Sequence, residues 1–200
     1  MDKQKTDKIN ALIVDFKAPD NWDFLSGLEQ STNEKWKTIE ELNTLNFGSM
    51  FKKIIRYGKY FIVPFKILLK KDQYKHVLTW QQFYGLILAF YFKIFRVDNA
   101  PQITVMSFIY KPKCSMIGKI YGRFMKYIVT SCNIKQYIIY SKNEKEYYAD
   151  LFQVSQELFV PITLGIDDST GRISPREKGE YFFTAGRSNR DYMFLIDHWK

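Results

Sequence analysis

The sequence predicts an α/β fold: a Rossmann-like parallel sheet with helices on both faces, followed by the first βα unit of a second Rossmann-like domain. Short apolar runs alternate with longer segments of helical periodicity, the pattern of strands separated by crossover helices. Aromatic residues make up 18% of the 200 residues, enough for a large core. A stretch of mixed charge with three glycines then precedes one more strand and helix, which is typical of a linker between domains.

The predicted elements follow in order. We predict strands at Asn10–Phe16, Trp36–Leu42, His76–Trp80, Ile103–Phe108, Gln136–Tyr140 and Leu158–Ile162. We predict helices that begin at Trp22 and that cover 51–71, Phe83–Phe95, Ile117–Val129 and Asn143–Phe152. Pro64 should kink or break the helix over 51–71, because proline has no N–H to donate. Strands joined by helices imply parallel pairing through right-handed crossovers.

Three segments make up the predicted domain organisation. Residues 1–164 should form the sheet domain, 165–179 a linker, and 180–200 the start of a second domain. One strand and one helix cannot close a core of their own. They either pack on the first domain or belong to a second domain that continues beyond Lys200, and we expect the latter.

The positive charge is concentrated in the middle of the chain. Residues 51–100 carry 10 basic and 2 acidic groups, residues 101–150 carry 8 and 3, and the whole chain has a net charge of +9. Such a field points to an anionic partner, such as phosphate, nucleic acid or an acidic membrane face. A solvated basic surface that only aids solubility is the alternative.

The cysteine and histidine content argues against a metal site. Cys114 and Cys132 form no CxxC pair, and His76 and His198 are the only histidines, whereas a zinc site needs three or four closely spaced ligands. We predict no metal or other cofactor, and two free, buried thiols in a reducing compartment. The first twenty residues contain no apolar signal core, so we expect a cytoplasmic protein.

Ligands of parallel sheets bind at the carboxyl ends of the strands, which selects the loops after Asp15, Trp80, Phe108 and Tyr140. Trp80, Gln81 and Gln82 could bind a ligand by stacking and amide hydrogen bonds. Lys111 and Lys113 could meet a phosphate, or could be solvated loop lysines. Ser141 is a further acceptor-site candidate, and Ser141 with Glu144 fits a capping box of the following helix.

The turn between the last predicted strand and helix contains Gly186, Arg187 and Arg190. Glycine permits close backbone approach, and the start of a helix offers free N–H groups. Two arginines three residues apart suit a diphosphate. Arg190 could instead form a local ion pair with Asp191.

Five motifs carry a resemblance to a known family. They occur in the order Trp80-Gln-Gln-Phe-Tyr-Gly, Phe108-Ile-Tyr-Lys-x-Lys, Ile117-Gly-Lys-Ile-Tyr, Ser141-x-x-Glu144 and Gly186-Arg-Ser-Asn-Arg-Asp-Tyr. The chain thereby resembles bacterial glycosyltransferases of the family 1/family 4 type, which have two Rossmann domains (the GT-B fold). The resemblance is strong from Trp80 onward and weak before it.

The resemblance implies that residues 1–164 hold the sugar acceptor and that 180–200 open the domain for a nucleotide-diphosphate sugar. The candidate acceptor-binding residues are then Trp80, Gln81, Gln82, Lys111 and Ser141. Gly186 and Arg187 would face the donor diphosphate, with Arg190 assisting. The family's paired acidic motif would lie beyond Lys200, and its histidine after the middle strand is replaced by Ser107-Phe108-Ile109. We therefore assign no catalytic residue, and we expect residues 1–200 alone to be inactive.

The implied function is sugar transfer to a glycan or lipid-linked acceptor in bacterial polysaccharide or cell-surface glycan synthesis. The basic, amphipathic segment 51–71 suggests peripheral association with an anionic membrane, which would place the protein at the inner face of the plasma membrane. The alternative for that segment is a core helix with a solvated outer face. The alternative function is a non-catalytic basic adaptor or relic that binds an anionic membrane or a polyanion. No nucleic-acid-binding signature is present, so we expect no nucleic-acid partner.

Overall fold

A computed structural model describes residues 8–41 and 50–162, with the side chains of 50–54 and 56 left aside. The chain divides into two units, Met1–Leu164 and Gly165–Lys200, and every described residue lies in the first. The predicted linker over 165–179 and the predicted strand and helix of 180–200 lie outside the described residues.

Six strands form one parallel sheet in the order β2-β1-β3-β4-β5-β6. Their bounds are Ile9–Val14 (β1), Trp36–Glu40 (β2), Tyr74–Thr79 (β3), Gln102–Val105 (β4), Ile134–Ile139 (β5) and Phe159–Pro161 (β6). Leu12 of β1 pairs with Thr38 on one side and with Leu78 on the other. The predicted α/β class with an all-parallel, Rossmann-like sheet is therefore confirmed.

Five helices connect these strands. They are Asp23–Thr32 (α1), Met50–Leu69 (α2), Gln82–Ile94 (α3), Met116–Val129 (α4) and Lys142–Phe152 (α5). Their bounds lie within one or two residues of the predicted ones, which is the ordinary uncertainty of helix ends.

Pro64 does not break α2, so of the two predicted outcomes, a kink or a break, the break is excluded. The helix continues through it to Leu69, and Tyr60, Val63 and Ile67 are buried along the same stripe. This stripe packs on α3, where the ring of Tyr60 lies 5.2 Å from that of Phe83 and 5.4 Å from that of Tyr84. Burial of this apolar stripe against α3 stabilises α2 by more than the missing N–H of Pro64 destabilises it.

The direction of chain travel decides which face of the sheet each helix covers. The chain moves from β1 to β2 in one direction, and from β3 through β6 in the other. Right-handed crossovers therefore place α1 on one face and α2 to α5 on the opposite face. The packing agrees: Phe24 and Leu28 of α1 contact Leu12 and Leu78, whereas the helices of the second group pack on side chains that include Val77.

Helix α3 lies in the centre of the layer formed by α2 to α5. Its residues from Tyr84 to Ala89 and Phe92 are buried, as expected for a core helix. Among the described residues, no helix combines the length and apolar character needed to cross a bilayer.

Both cysteines are exposed rather than buried, so the prediction of buried thiols is wrong. Cys114 lies in the loop before α4, and Cys132 lies in the turn between α4 and β5. Connecting segments run over the surface because their backbone polar groups need water, and this places the two thiols outside the core.

Candidate functional site

The sheet reverses its direction of growth between β1 and β3, which makes the carboxyl ends of these two strands the topological switch point. The chain leaves β1 toward one side of the sheet and leaves β3 toward the other, so the loops after these two strands diverge. The crevice between them is where open α/β sheets bind ligands. Phe16 follows β1 and Trp80 follows β3. The structure thus places the predicted residue Trp80 at the switch point.

Trp80 belongs to a cluster of four half-buried aromatic side chains. Its ring centroid lies 5.6 Å from that of Phe16, 5.3 Å from that of Trp22 and 5.0 Å from that of Phe24. The rings of Phe16 and Phe24 stand nearly perpendicular to the indole, the edge-to-face arrangement that aromatic pairs favour. We call these four residues the switch-point aromatic cluster.

The switch-point aromatic cluster can serve as an apolar platform because each of its four members keeps part of its surface in solvent. Sequence reasoning found Trp80 but missed Phe16, Trp22 and Phe24. The missing signal is the pairing of β1 with β3, which brings residues more than fifty positions apart in the sequence to one edge of the sheet.

Gln81 and Gln82 both have structural partners. Gln81 caps α3, since its Oε1 accepts a hydrogen bond from the N–H of Phe83 at 2.7 Å, and its Nε2 donates to the hydroxyl of Tyr60 at 3.4 Å. The Oε1 of Gln82 accepts from the N–H of Ile109 at 3.0 Å. Both side chains therefore fix the loops around the switch point, and their role in acceptor binding stays a prediction.

Ser107, which follows β4, is a feature that sequence reasoning did not assign. Its backbone has φ 55°, a left-handed conformation uncommon for a residue other than glycine. Its hydroxyl shares a hydrogen bond with the hydroxyl of Tyr140, which follows β5. Strained backbone of this kind often occurs at binding and catalytic sites, and the two hydroxyls add polar groups to the carboxyl edge.

Ser141 is the N-cap of α5, and its Oγ accepts from the N–H of Asn143 at 3.3 Å. The predicted reciprocal half of the capping box is not formed. Glu144 instead accepts a hydrogen bond from the hydroxyl of Tyr148 at 3.5 Å. Tyr148 in turn accepts from the N–H of Tyr110 at 3.1 Å, so the glutamate supports a link between α5 and the loop after β4.

The part of the carboxyl edge around the starts of α3 and α4 has a positive electrostatic character, whereas Asp15 follows β1, Glu40 ends β2 and Glu144 lies in the first turn of α5. A helix N-terminus carries a partial positive charge. Neither α3 nor α4 has an acidic residue in its first turn. Lys111 and Lys113 are exposed in the loop that leads to α4. The edge is therefore suited to a ligand with a phosphate or another anionic group.

A cavity of about 710 Å³ lies on the sheet face that α1 covers only in part. Its apolar side includes Leu78, Met106 and Ile138, and its polar side includes His76 and Thr104. His76 Nε2 lies 2.8 Å from Thr104 Oγ1. Burial, with a further contribution from the charge of Lys135, lowers the pKa of His76 from 6.5 to about 4, so the imidazole is neutral at pH 7.

The remaining predictions concern the donor-site residues and the metal ligands. The donor-site candidates Gly186, Arg187 and Arg190 lie outside the described residues. Within 8–41 and 50–162, no group of three or more histidine, cysteine, aspartate or glutamate side chains is arranged to hold a metal ion.

Comparison of the chain with protein-family models, with curated proteins and with solved structures gave no match.

Proposed function

We propose that the protein is a glycosyltransferase that uses a nucleotide-diphosphate sugar, and that the sheet domain binds the sugar acceptor. The observation that carries this proposal is the carboxyl edge of the sheet: a half-buried aromatic cluster at the switch point, next to helix N-termini and exposed lysines. Aromatic rings pack well against the C–H faces of sugar rings, and a positive edge suits an acceptor that carries a phosphate.

The motifs from Trp80 to Tyr192 give the proposal its reaction class. They resemble glycosyltransferases with two Rossmann domains, and the confirmed parallel sheet is the architecture that such an acceptor domain would have. On this proposal, Arg187 neutralises the leaving diphosphate and Gly186 lets the backbone approach it. Positioning and electrostatic stabilisation of the leaving group then supply the catalysis.

The test of donor binding uses the protein expressed from its own gene and titrates uridine and guanosine diphosphate by calorimetry. We expect one of the two nucleotides to bind, and Arg187→Ala to weaken it at least tenfold. Loss of charge-assisted hydrogen bonds of about 1.5–3 kcal/mol is a tenfold effect or more. Arg96→Ala is the matched control, because Arg96 follows the C-terminus of α3, at the end of the sheet that lies away from the switch point.

The acceptor side is tested in the same preparation with Trp80→Leu. We expect this variant to keep the wild-type diphosphate affinity and to lose sugar transfer to a bacterial lipid-linked glycan extract. Circular dichroism establishes that the variant is folded. If neither diphosphate binds the wild-type protein, or if Arg187→Ala and Arg96→Ala bind equally well, the proposal is wrong.

A further inference from the structure

Helices α2, α3 and α4 carry many large apolar side chains that are exposed to solvent. On α4, Met116 and Ile117 are each 80% exposed and Ile120 is 62% exposed. On α2, Leu69 is 71% exposed and Ile62 is 56% exposed. Scattered apolar residues on a surface are ordinary, but a concentration on adjacent helices marks an interaction site.

These side chains are not needed to complete the core. Helix α4 already buries a separate stripe that includes Gly118, Met125, Ile128 and Val129. On an α-helix, Ile120 lies on a different face from Met125, because an offset of five positions corresponds to a rotation of about 140° around the axis. The exposed apolar stripe is therefore an additional surface of the helix.

Aromatic contacts make this surface continuous across the three helices. The ring of Phe65 on α2 lies 5.8 Å from that of Tyr91 on α3. On the other side of α3, the ring of Phe90 lies 5.1 Å from that of Phe124 and 6.4 Å from that of Tyr127, both on α4. We call the outer face of α2, α3 and α4 the apolar-basic surface.

Positive charges predominate on this surface. Helix α4 carries Lys119, Arg123 and Lys126 and no aspartate or glutamate. Lys119 and Arg123 are exposed on α4. Lys93 of α3 lies over the Tyr127 ring, with Nζ 4.2 Å from its centroid, and donates to the Tyr127 carbonyl at 2.6 Å.

Helix α5 belongs to the same layer but has the opposite character. It carries Glu144, Glu146 and Asp150, and its large exposed apolar side chain is that of Tyr147. The combination of apolar side chains with unopposed positive charge thus ends between α4 and α5. This boundary gives the apolar-basic surface a defined extent.

We propose that the apolar-basic surface docks on an anionic phospholipid bilayer, with the first turns of α4 entering the headgroup region. The segment 51–71, which the sequence alone singled out, is one part of this surface, and α3 and α4 complete it. Apolar side chains partition into the acyl boundary while lysines and arginines meet lipid phosphates, which is how interfacial helices bind. Docking requires no sugar transfer and is independent of the proposed enzymatic function.

Vesicle co-sedimentation tests this proposal with the full chain at about 0.15 M salt, where the Debye length is about 8 Å. We expect binding to phosphatidylcholine vesicles that contain phosphatidylglycerol, and weak binding to pure phosphatidylcholine. Replacing Met116, Ile117 and Ile120 together by serine should lower the partition coefficient at least tenfold. These side chains are exposed, so the variant should unfold at the wild-type temperature.

A matched pair of charge variants separates a specific surface from general attraction. The double variants Lys119→Gln with Arg123→Gln and Lys142→Gln with Lys145→Gln each remove two positive charges, the first from α4 and the second from α5. We expect at least tenfold weaker binding for the α4 pair, since each basic residue near a charged bilayer contributes about a factor of five, and near wild-type binding for the α5 pair.

Three results would overturn the proposal. The first is equal binding to neutral and anionic vesicles, and the second is equal loss of binding in the two charge variants. The third is sedimentation as a dimer that the Met116, Ile117 and Ile120 variant abolishes, together with no vesicle binding, because the surface would then bind a second copy of the chain.

Discussion

His76 is a titratable side chain whose environment makes the folded protein sensitive to acid. It lies between the exposed polar rim and the apolar part of the sheet-face cavity, near the charges of Glu34, Lys75 and Lys135. Desolvation disfavours the imidazolium, and the lysines act in the same direction, whereas Glu34 acts in the opposite direction.

Lowering the pH should therefore destabilise the protein through His76. Between pH 6.5 and about 4, the unfolded chain binds a proton at this residue that the folded chain does not bind, so stability falls as the pH falls. We expect a His76 contribution of the order of 2 kcal/mol, since one pKa unit corresponds to about 1.4 kcal/mol and partial exposure screens the effect. Urea unfolding at pH 7 and pH 4.5 measures it.

His76→Gln is the reference for this measurement, because glutamine can still hydrogen bond to Thr104 but does not titrate. Its loss of stability between the two pH values should be smaller than that of the wild-type protein. Nuclear magnetic resonance of the imidazole gives an independent reading. A titration midpoint for His76 near 6.5 would contradict the argument.

Among the elements, α3 packs closely on the sheet at Gly85, whose lack of a side chain permits the approach. A Cβ atom on Gly85 would lie 2.6 Å from Thr79 Oγ1, 2.8 Å from Val105 Cγ2 and 3.3 Å from Ile103 Cγ2. These contacts are with strands β3 and β4 beneath the helix. A larger side chain at position 85 would push α3 away from the sheet. This shift would disturb the packing of the buried residues Tyr84 and Leu88.

Gly85→Ala should therefore destabilise the protein by about 1–3 kcal/mol, the usual cost of overpacking a core. Gly27→Ala in α1 is the matched control, because nothing lies within 4 Å of a Cβ atom at that position. Alanine is the better helix former by about 0.5–1 kcal/mol, so the control should be stabilised. Thermal unfolding of both variants measures these changes in stability. If the two melting temperatures shift in the same direction, the close approach of α3 to the sheet does not limit the side chain at position 85.

The elements also show what sequence reasoning could and could not find. Helix α4 could be predicted from the sequence because its periodicity is local. Ser115 also caps this helix, and its Oγ accepts a hydrogen bond from the N–H of Gly118 at 3.0 Å. That Pro64 does not break α2 depends on the packing between α2 and α3, which a local pattern does not contain. The left-handed backbone of Ser107 and the aromatic partners of Trp80 depend on sheet order, which local patterns do not contain.

At the scale of the whole molecule, the order of strands sets a gradient of protection across the sheet. The strands β1, β3, β4 and β5 have a partner on each side, whereas β2 and β6 lie at the edges. The described part of β6 has only three residues. Local opening is easiest where few backbone hydrogen bonds and few buried contacts must be broken.

Amide hydrogen exchange should report this gradient. We expect the amides of Leu12 and Leu78 to exchange at least about a hundredfold more slowly than that of Val160, because central strands open only in large-scale unfolding. Mass spectrometry of peptides from the three strands measures the rates. Uniform protection of β1, β3 and β6 would mean that the sheet opens as a single unit.

The position of β1 between β2 and β3 also has a consequence for synthesis on the ribosome. Leu12 is translated long before its partner Leu78, and α1, β2 and α2 are made in between. At about 5–20 residues per second, one edge of β1 waits several seconds for β3. A strand with an unpaired edge can pair with another chain. The early β1–α1–β2 unit therefore pairs only one side of the nascent strand, and the other side stays open to pairing until β3 has been made.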